Sequence, residues 1–265
     1  MPTYALLGAT GSTGSAILRC LISQPLKHLT LNIFVRSRSK LCKAFPDLER
    51  TSAFKTNIIE GIPNDTIAMQ ECLKDADIVI ACIGSNYSTP GISLIYDTTT
   101  ATIDALEVHR KTQGSAYKPP TIIQLRSASL NPIFKAALPW FAQQVAPFCF
   151  YYIYEDLDRA CKLLASSLID SPGLLDYIFV DPPSIHDADG TTPTGYKLIL
   201  DEKQDPALSY ADLGVAFCEV AERRDEFVGK AVGVTATGTV NLTWGVLLGY
   251  MATDYARRDT RANAI

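Results

Sequence analysis

Histidine is scarce in this chain, three among 265 residues, and His28, His109 and His186 stand far apart with no acid or cysteine at ligand spacing. A metal enzyme is not expected, because zinc and similar ions need several such ligands brought together. Paired cysteines are missing as well. Cys20, Cys42, Cys72, Cys82, Cys149, Cys161 and Cys218 are scattered singly, odd in number and without a C-x-x-C, which excludes the regular spacings of disulfide frameworks and metal sites. They read as small reduced hydrophobes of a core. Nor is there an excess of positive charge. Lys and Arg number 24 against 28 Asp and Glu, a net charge of −4, which argues against non-specific binding to nucleic acid or an anionic membrane. No stretch approaches the ~20 uninterrupted apolar residues of a membrane span. The opening MPTYALLGATGSTG has no basic leader region, and glycines break its apolar run early. The expectation is a cytoplasmic protein, monomer or homodimer, with a small-molecule substrate and neither nucleic acid nor membrane as partner.

What is present is ordinary globular material. Hydrophobic residues make up 47% and charged residues 20% of the chain. A chain of this length buries most of the surface it exposes when unfolded, so it needs no disulfide or metal to hold it together. No linker, internal repeat or low-complexity tract interrupts it. A single domain over 1–265 is expected, its core about 3–180 and its substrate-covering segments about 181–210 and 236–265.

Alternating apolar runs and helical periodicities set the architecture. Thr3 to Leu7 predicts a strand; Ala16, Ile17, Leu18, Leu21 and Ile22 then recur at helical spacing. Leu29 to Val35 and Thr56 to Glu60 predict the second and third strands. Asn64 and Asp65 predict a helix cap ahead of Met69, Leu73 and Ala76. Asp77 to Gly84 has the unbroken apolar character of a parallel strand covered on both faces. Helices are predicted over Thr98–Thr112, with His109 among its inward candidates, and over Tyr154–Leu168. Strands are predicted over Thr121–Leu125 and Leu175–Val180, the latter halted by Asp181–Pro182–Pro183. His186 to Gly195 predicts a loop, Tyr210–Arg223 a helix, Ala231–Thr235 a strand and Leu242–Arg257 a closing helix. This is an α/β fold of Rossmann type, a doubly wound parallel sheet with helices on both faces and a small C-terminal portion covering the substrate.

Gly8, Thr10, Gly11, Ser12, Thr13 and Gly14 lie in a G-x-x-G-x-x-G turn between the first strand and first helix. Glycine there lets the backbone approach a pyrophosphate, which rests on the helix's positive N-terminus. An NAD site places an acid at the end of the second strand. This chain has Arg36 there, followed by Arg38 and Lys40. Guanidinium pairs with a 2′-phosphate that an acid would repel, so the cofactor is read as NADP(H).

GATGSTG, FVRSRSKL after strand two and ADIVIACIG at strand four resemble the short-chain dehydrogenase/reductase superfamily. The resemblance is to its atypical NmrA-like branch, with biliverdin reductase B (flavin reductase). LLDYIFVDPPSIHD and SYADLGVAFCEVAE extend the likeness to about residues 3–235. The chain is also similar to small oxidoreductases of fungal aromatic-polyketide pathways, which implies a role in secondary metabolite biosynthesis.

The resemblance implies that Thr10 to Gly14 wrap the pyrophosphate, that Arg36 and Arg38 hold the 2′-phosphate, and that Gly61 and Ile62 border the adenine. The family usually has Asp where Ile62 stands. Cys82, Ile83 and Gly84 would pass under the nicotinamide ribose, and Ser127 matches the catalytic serine position, with Ser129 a near alternative. The usual active site also pairs a Tyr with a Lys four residues on. No Y-x-x-x-K exists here. Tyr151 matches the tyrosine position best, and Glu155 stands where Lys would. The expected function is NADPH-dependent reduction of a small conjugated ketone or quinone, with Ser127, Tyr151, Glu155 and His186 as catalytic candidates, and Asp181 and Tyr196 as further proton sources. Two alternatives stay open: a non-redox isomerase, epimerase or dehydratase, and a dinucleotide-binding redox sensor.

Overall fold

The computed structural model describes residues 1–24, 26, 28–50, 54–85, 87–137, 143, 148–188, 190–243 and 245. Its main sheet has eight strands in the order β3-β2-β1-β4-β5-β6-β10-β8. These are β1 (Thr3–Leu7), β2 (Thr30–Val35), β3 (Lys55–Glu60), β4 (Ile78–Ala81), β5 (Thr121–Leu125), β6 (Asp176–Asp181), β8 (Tyr196–Ile199) and β10 (Ala231–Ala236). All pairings are parallel except that of β8 with β10. β7 (Ser184–His186) and β9 (Ala207–Ser209) form a separate parallel pair.

The unbroken apolar runs follow from burial on both faces. Along β1, Tyr4 and Leu6 join one core cluster while Ala5 and Leu7 join the other. The first cluster takes in α1 (Ser12–Ser23) and α7 (Tyr210–Glu222); the second takes in α3 (Thr66–Leu73), α4 (Leu94–Gln113) and α6 (Tyr151–Asp170). Short helices α2 (Arg38–Ala44), α5 (Pro132–Ala137) and α8 (Arg224–Phe227) complete the described set. The first layer is tight. A side chain on Gly214 of α7 would lie 2.6 Å from the backbone carbon of Ala16 on α1.

Several expectations need correction. His186 belongs to β7 and is buried, because Ser184–His186 pairs with Ala207–Ser209; the loop starts after it. β4 stops at Ala81, short of Gly84, because the chain leaves the sheet there, although Cys82 N–H still donates to Leu7 O at 3.0 Å. α4 starts four residues before Thr98, since Asp156 of α6 accepts from Ile95 N and Tyr96 N at 2.8 and 3.0 Å and so caps it from outside. α6 starts three residues earlier than predicted, at Tyr151. The helix α2 was not anticipated. Asp65 does cap α3, accepting from Ala68 N at 3.0 Å. The expected closing helix over Leu242–Arg257 falls almost wholly outside the described residues.

Candidate functional site

The register brings the carboxyl ends of the strands to one level. Leu7 pairs with Phe34 and Ala81, Val35 with Glu60, and Leu125 with Val180. Gly8, Arg36, Gly61, Cys82 and Arg126 therefore emerge along one edge of the sheet. β1 sits between β2 and β4, where the strand order reverses, and ligands of open α/β sheets bind in the crevice outside that point.

The glycine turn is built for close approach. Gly8 has φ +100°, and a side chain there would lie 2.8 Å from Cys82 O. Gly11 N–H donates to Gly8 O at 3.0 Å and closes the turn. A side chain on Gly14 would fall 2.2 Å from Gly8 O, so the first turn of α1 packs directly on the loop. Gly11 differs: its open side meets only Gly8 O at 3.4 Å. Gly11 is also the N-cap of α1 and supplies no side-chain bond, and no acid stands in the first turn. The first amides of a helix have no partner within it. Here they lie at exposed Gly11 and Ser12, with Thr10 half-buried and Thr13 buried beside them. A pyrophosphate fits this cradle in both shape and charge.

At the next strand end Arg36 is exposed and has no ion pair among the described residues. Arg38 is already engaged: its guanidinium pairs with Glu49, and its backbone N–H donates to Glu60 Oε2 at 2.9 Å. Of the two arginines expected to hold a 2′-phosphate, only Arg36 is without an ion pair among the described residues. Gly61 packs closely, since a side chain there would meet Ala68 at 2.8 Å, whereas Ile62 is exposed.

Further along, the Cys82 thiol donates to Leu7 O at 3.1 Å, and burial pushes its pKa up to about 12, so it is an inert floor. Ile83 is half-buried and Gly84 exposed. Beneath them a narrow, mostly apolar crevice runs between Ala81, Ile122 and the threonines of α4. Cys20, Cys42, Cys72, Cys82, Cys161 and Cys218 are free thiols.

The catalytic candidates are spread along the same edge. Ser127 follows β5, and its hydroxyl accepts from Ser129 N at 3.3 Å, capping a short 3₁₀ turn. Tyr151 opens α6 half-exposed, its ring edge-on to Tyr152 at 5.2 Å, and Glu155 is exposed one turn later. His186 is buried, its Nδ1 accepts from Thr243 N at 3.2 Å, and burial lowers its pKa. Asp181 is fully buried in a network described below, and Tyr196 donates to Glu219 Oε2 at 2.7 Å. Burial and Glu219 together push the Tyr196 hydroxyl well above its ordinary range. Asp181 and Tyr196 thus serve structural bonds.

Sequence reasoning passed over Arg126. Its Nε and Nη2 donate to Asp181 Oδ1 and Oδ2 at 2.6 and 2.5 Å, and its guanidinium lies 4.6 Å from the Phe179 ring centre. The available signal was an Arg closing one strand and an Asp closing the next, which parallel pairing sets side by side.

A family model described as NAD(P)H-binding matches residues 8–223. The chain belongs to that family. Its curated relatives include averufin oxidase A of Dothistroma septosporum, 51% identical over 95% of this chain and 89% of that one. Averufin oxidase stcO of Emericella nidulans is 46% identical over 95% and 88%. Oxidoreductase ordB of Dothistroma septosporum is 30% identical over 90% and 85%. A short-chain dehydrogenase/reductase of Veillonella parvula in complex with NADP has the same fold at TM-score 0.63 and 18% identity, over 90% of this chain and 96% of that one. The anaerobillin reductase ChuY of Escherichia coli O157:H7 matches at TM-score 0.65 and 14% identity, over 91% and 100%. Family membership makes this an oxidoreductase with a nicotinamide dinucleotide cofactor. Among the described residues no helix is long and apolar enough to cross a membrane.

Proposed function

We propose that the protein is an NADP(H)-dependent oxidoreductase, of the atypical type lacking Y-x-x-x-K, that acts on a small, flat, conjugated ketone or quinone of secondary metabolism. The observation that carries the cofactor choice is Arg36, exposed and without an ion pair among the described residues, at the carboxyl end of β2 beside the glycine turn. Guanidinium is the planar donor that suits a 2′-phosphate. Thr10 to Gly14 bind the pyrophosphate through backbone amides, Gly61 and Ile62 border the adenine, and Cys82, Ile83 and Gly84 flank the nicotinamide ribose. When bound, the cofactor supplies or accepts a hydride.

An apolar rim supports the flat substrate. Tyr87, Ile133, Phe148, Tyr151 and Leu242 are each 50–53% exposed, and they follow β4, β5 and β10 or open α6, all at the carboxyl edge. Large apolar groups left exposed along one edge of a sheet suit an apolar ligand better than scattered ones do. Ser127 and Tyr151 are assigned as hydrogen-bond donors to the substrate oxygen. No ammonium follows Tyr151, Glu155 is exposed, and burial lowers the pKa of His186 and so favours its neutral form. Solvent is therefore the proton source at this open edge.

Averufin, for which two of the relatives are named, is the first compound to test in both directions, with NADPH and with NADP⁺. Reduction is the direction assigned here; the relatives' names speak of oxidation, and the same residues would serve either. Substrate-dependent change in the absorbance of the reduced nicotinamide supports the reading. Product formed without nucleotide turnover would instead mark a non-redox enzyme, and tight nucleotide binding without any turnover a sensor.

A further inference from the structure

We propose that Arg126 forms an anion-binding end to the substrate cleft, where its Nη1 donates to a negatively charged oxygen on a flat conjugated ligand. This rests on the flat-ligand reading above and adds the charge that such a ligand carries.

Alternation along β5 sets the side chain's direction. Ile122 belongs to the core cluster that includes α4 and α6, and Arg126, four residues on, stacks on Phe179 of the same cluster. Arg126 N–H donates to Val180 O at 2.8 Å, so its backbone is held to the end of β6. The guanidinium thus stands at the carboxyl edge on the face covered by α6, the helix that Tyr151 opens.

Its electrostatics are one-sided. Asp181 is 0% exposed and also accepts from Asn131 Nδ2 at 2.7 Å, so its charge is spread over three donor nitrogens and turned inward. Gln204 Nε2 fixes the same residue's backbone, donating to Asp181 O at 2.7 Å and to Val234 O at 3.0 Å. The Arg126 side chain, by contrast, retains 14% exposure. Nε and Nη2 are spent on Asp181, and Nη1 donates to no group among the described residues. Only the positive end of the pair therefore retains any exposure. On α6, Asp158 is paired with Lys162 at 2.6 Å, and Asp156 accepts from the amides of Ile95 and Tyr96. A clamp alone would need only the two engaged nitrogens. The third belongs to a guanidinium fixed by two bonds and stacked on Phe179, and a fixed guanidinium is the form in which arginine selects planar anionic oxygens.

The test uses two flat probes that differ in one group, 2-naphthoate and 2-acetylnaphthalene, bound to the full protein without nucleotide so that no turnover occurs. The wild type is expected to bind the carboxylate about tenfold more tightly than the ketone, the size of a charge-assisted hydrogen bond. Arg126→Lys keeps a cation opposite Asp181 but has no spare nitrogen. It should lose that preference and keep its affinity for 2-acetylnaphthalene. Equal or weaker binding of 2-naphthoate by the wild type overturns the subsite without any variant, and leaves the flat-ligand reading standing. A folded Arg126→Lys protein that keeps the preference overturns it too. If the wild type binds neither probe, the flat-ligand reading itself fails and this proposal falls with it.

Discussion

Glu60 Oε2 accepts a hydrogen bond from the backbone N–H of Arg38 at 2.9 Å, so the carboxylate closing β3 caps the start of α2. Arg36, assigned to the 2′-phosphate, lies two residues earlier in the same turn. A phosphate arriving there meets a carboxylate as well as a guanidinium. Glu60→Gln keeps an oxygen for the Arg38 amide and removes the charge. NADPH affinity should rise roughly fivefold, matching the ~1 kcal/mol between unit charges ~4 Å apart in water, while NADH affinity stays put. Isothermal titration of the variant decides it, and unchanged NADPH affinity would mean the phosphate sits elsewhere.

Two glycines of one loop should respond in opposite ways. Gly11→Val adds a side chain in open space at a β-region φ of −82°, so the protein should fold with an unchanged circular dichroism spectrum and lose nucleotide binding. Gly14→Ala places a carbon 2.2 Å from Gly8 O. It should cost ~1–3 kcal/mol of stability, the range for overpacking a closed site. A Gly11→Val protein that binds NADPH normally would refute the phosphate-loop assignment.

The sequence made the sheet and its cofactor edge readable because both leave strong local signals. β1, β2, β4 and β5 are buried on both faces, so their runs are largely apolar, with Asn32 in β2 and Gln124 in β5 as buried polar exceptions. The turn needs glycine for contacts that no other residue permits. The unreadable parts depend on tertiary partners. In α2, Leu41 is the one buried residue and the rest is basic or small, so it leaves no periodicity; its signal was the Ser37 cap alone. α4 gains its first turn from Asp156, which is 60 residues away in sequence. The strands β7 and β9 are three residues each, too short to show alternation, and His186 was misplaced with them. Arg126 could be judged only once β5 and β6 were known to be neighbours.

Tyr151→Phe should lower kcat/KM by roughly tenfold or less, against the ~10²–10⁴ for removing a positioned acid–base group. The ring is half-exposed, and Glu155 rather than a lysine follows it. Steady-state kinetics with a turned-over substrate checks this. A loss beyond a thousandfold would show that Tyr151 moves the proton after all.

His186 should give the protein an acid-sensitive stability. Burial lowers its folded-state pKa below the ordinary 6.5, so above that pH it is neutral in both states. As pH falls through 6.5 the unfolded chain takes up a proton that the folded site resists, and stability drops until the lowered folded value is passed. His186→Asn retains an acceptor for the Thr243 amide and removes the titration. Melting temperatures at pH 7 and pH 5 should show a smaller acid loss in the variant than in the wild type. Equal losses would exclude His186 as the source.

The most direct measurement of the central claim is calorimetric titration of wild type and Arg36→Ala with NADPH and NADH. The account predicts that the wild type binds NADPH at least about tenfold more tightly, as one or more charge-assisted bonds to the 2′-phosphate require. It also predicts that Arg36→Ala erases that difference while binding NADH as before. Equal affinities in the wild type, or a variant that keeps its preference for NADPH, would contradict it.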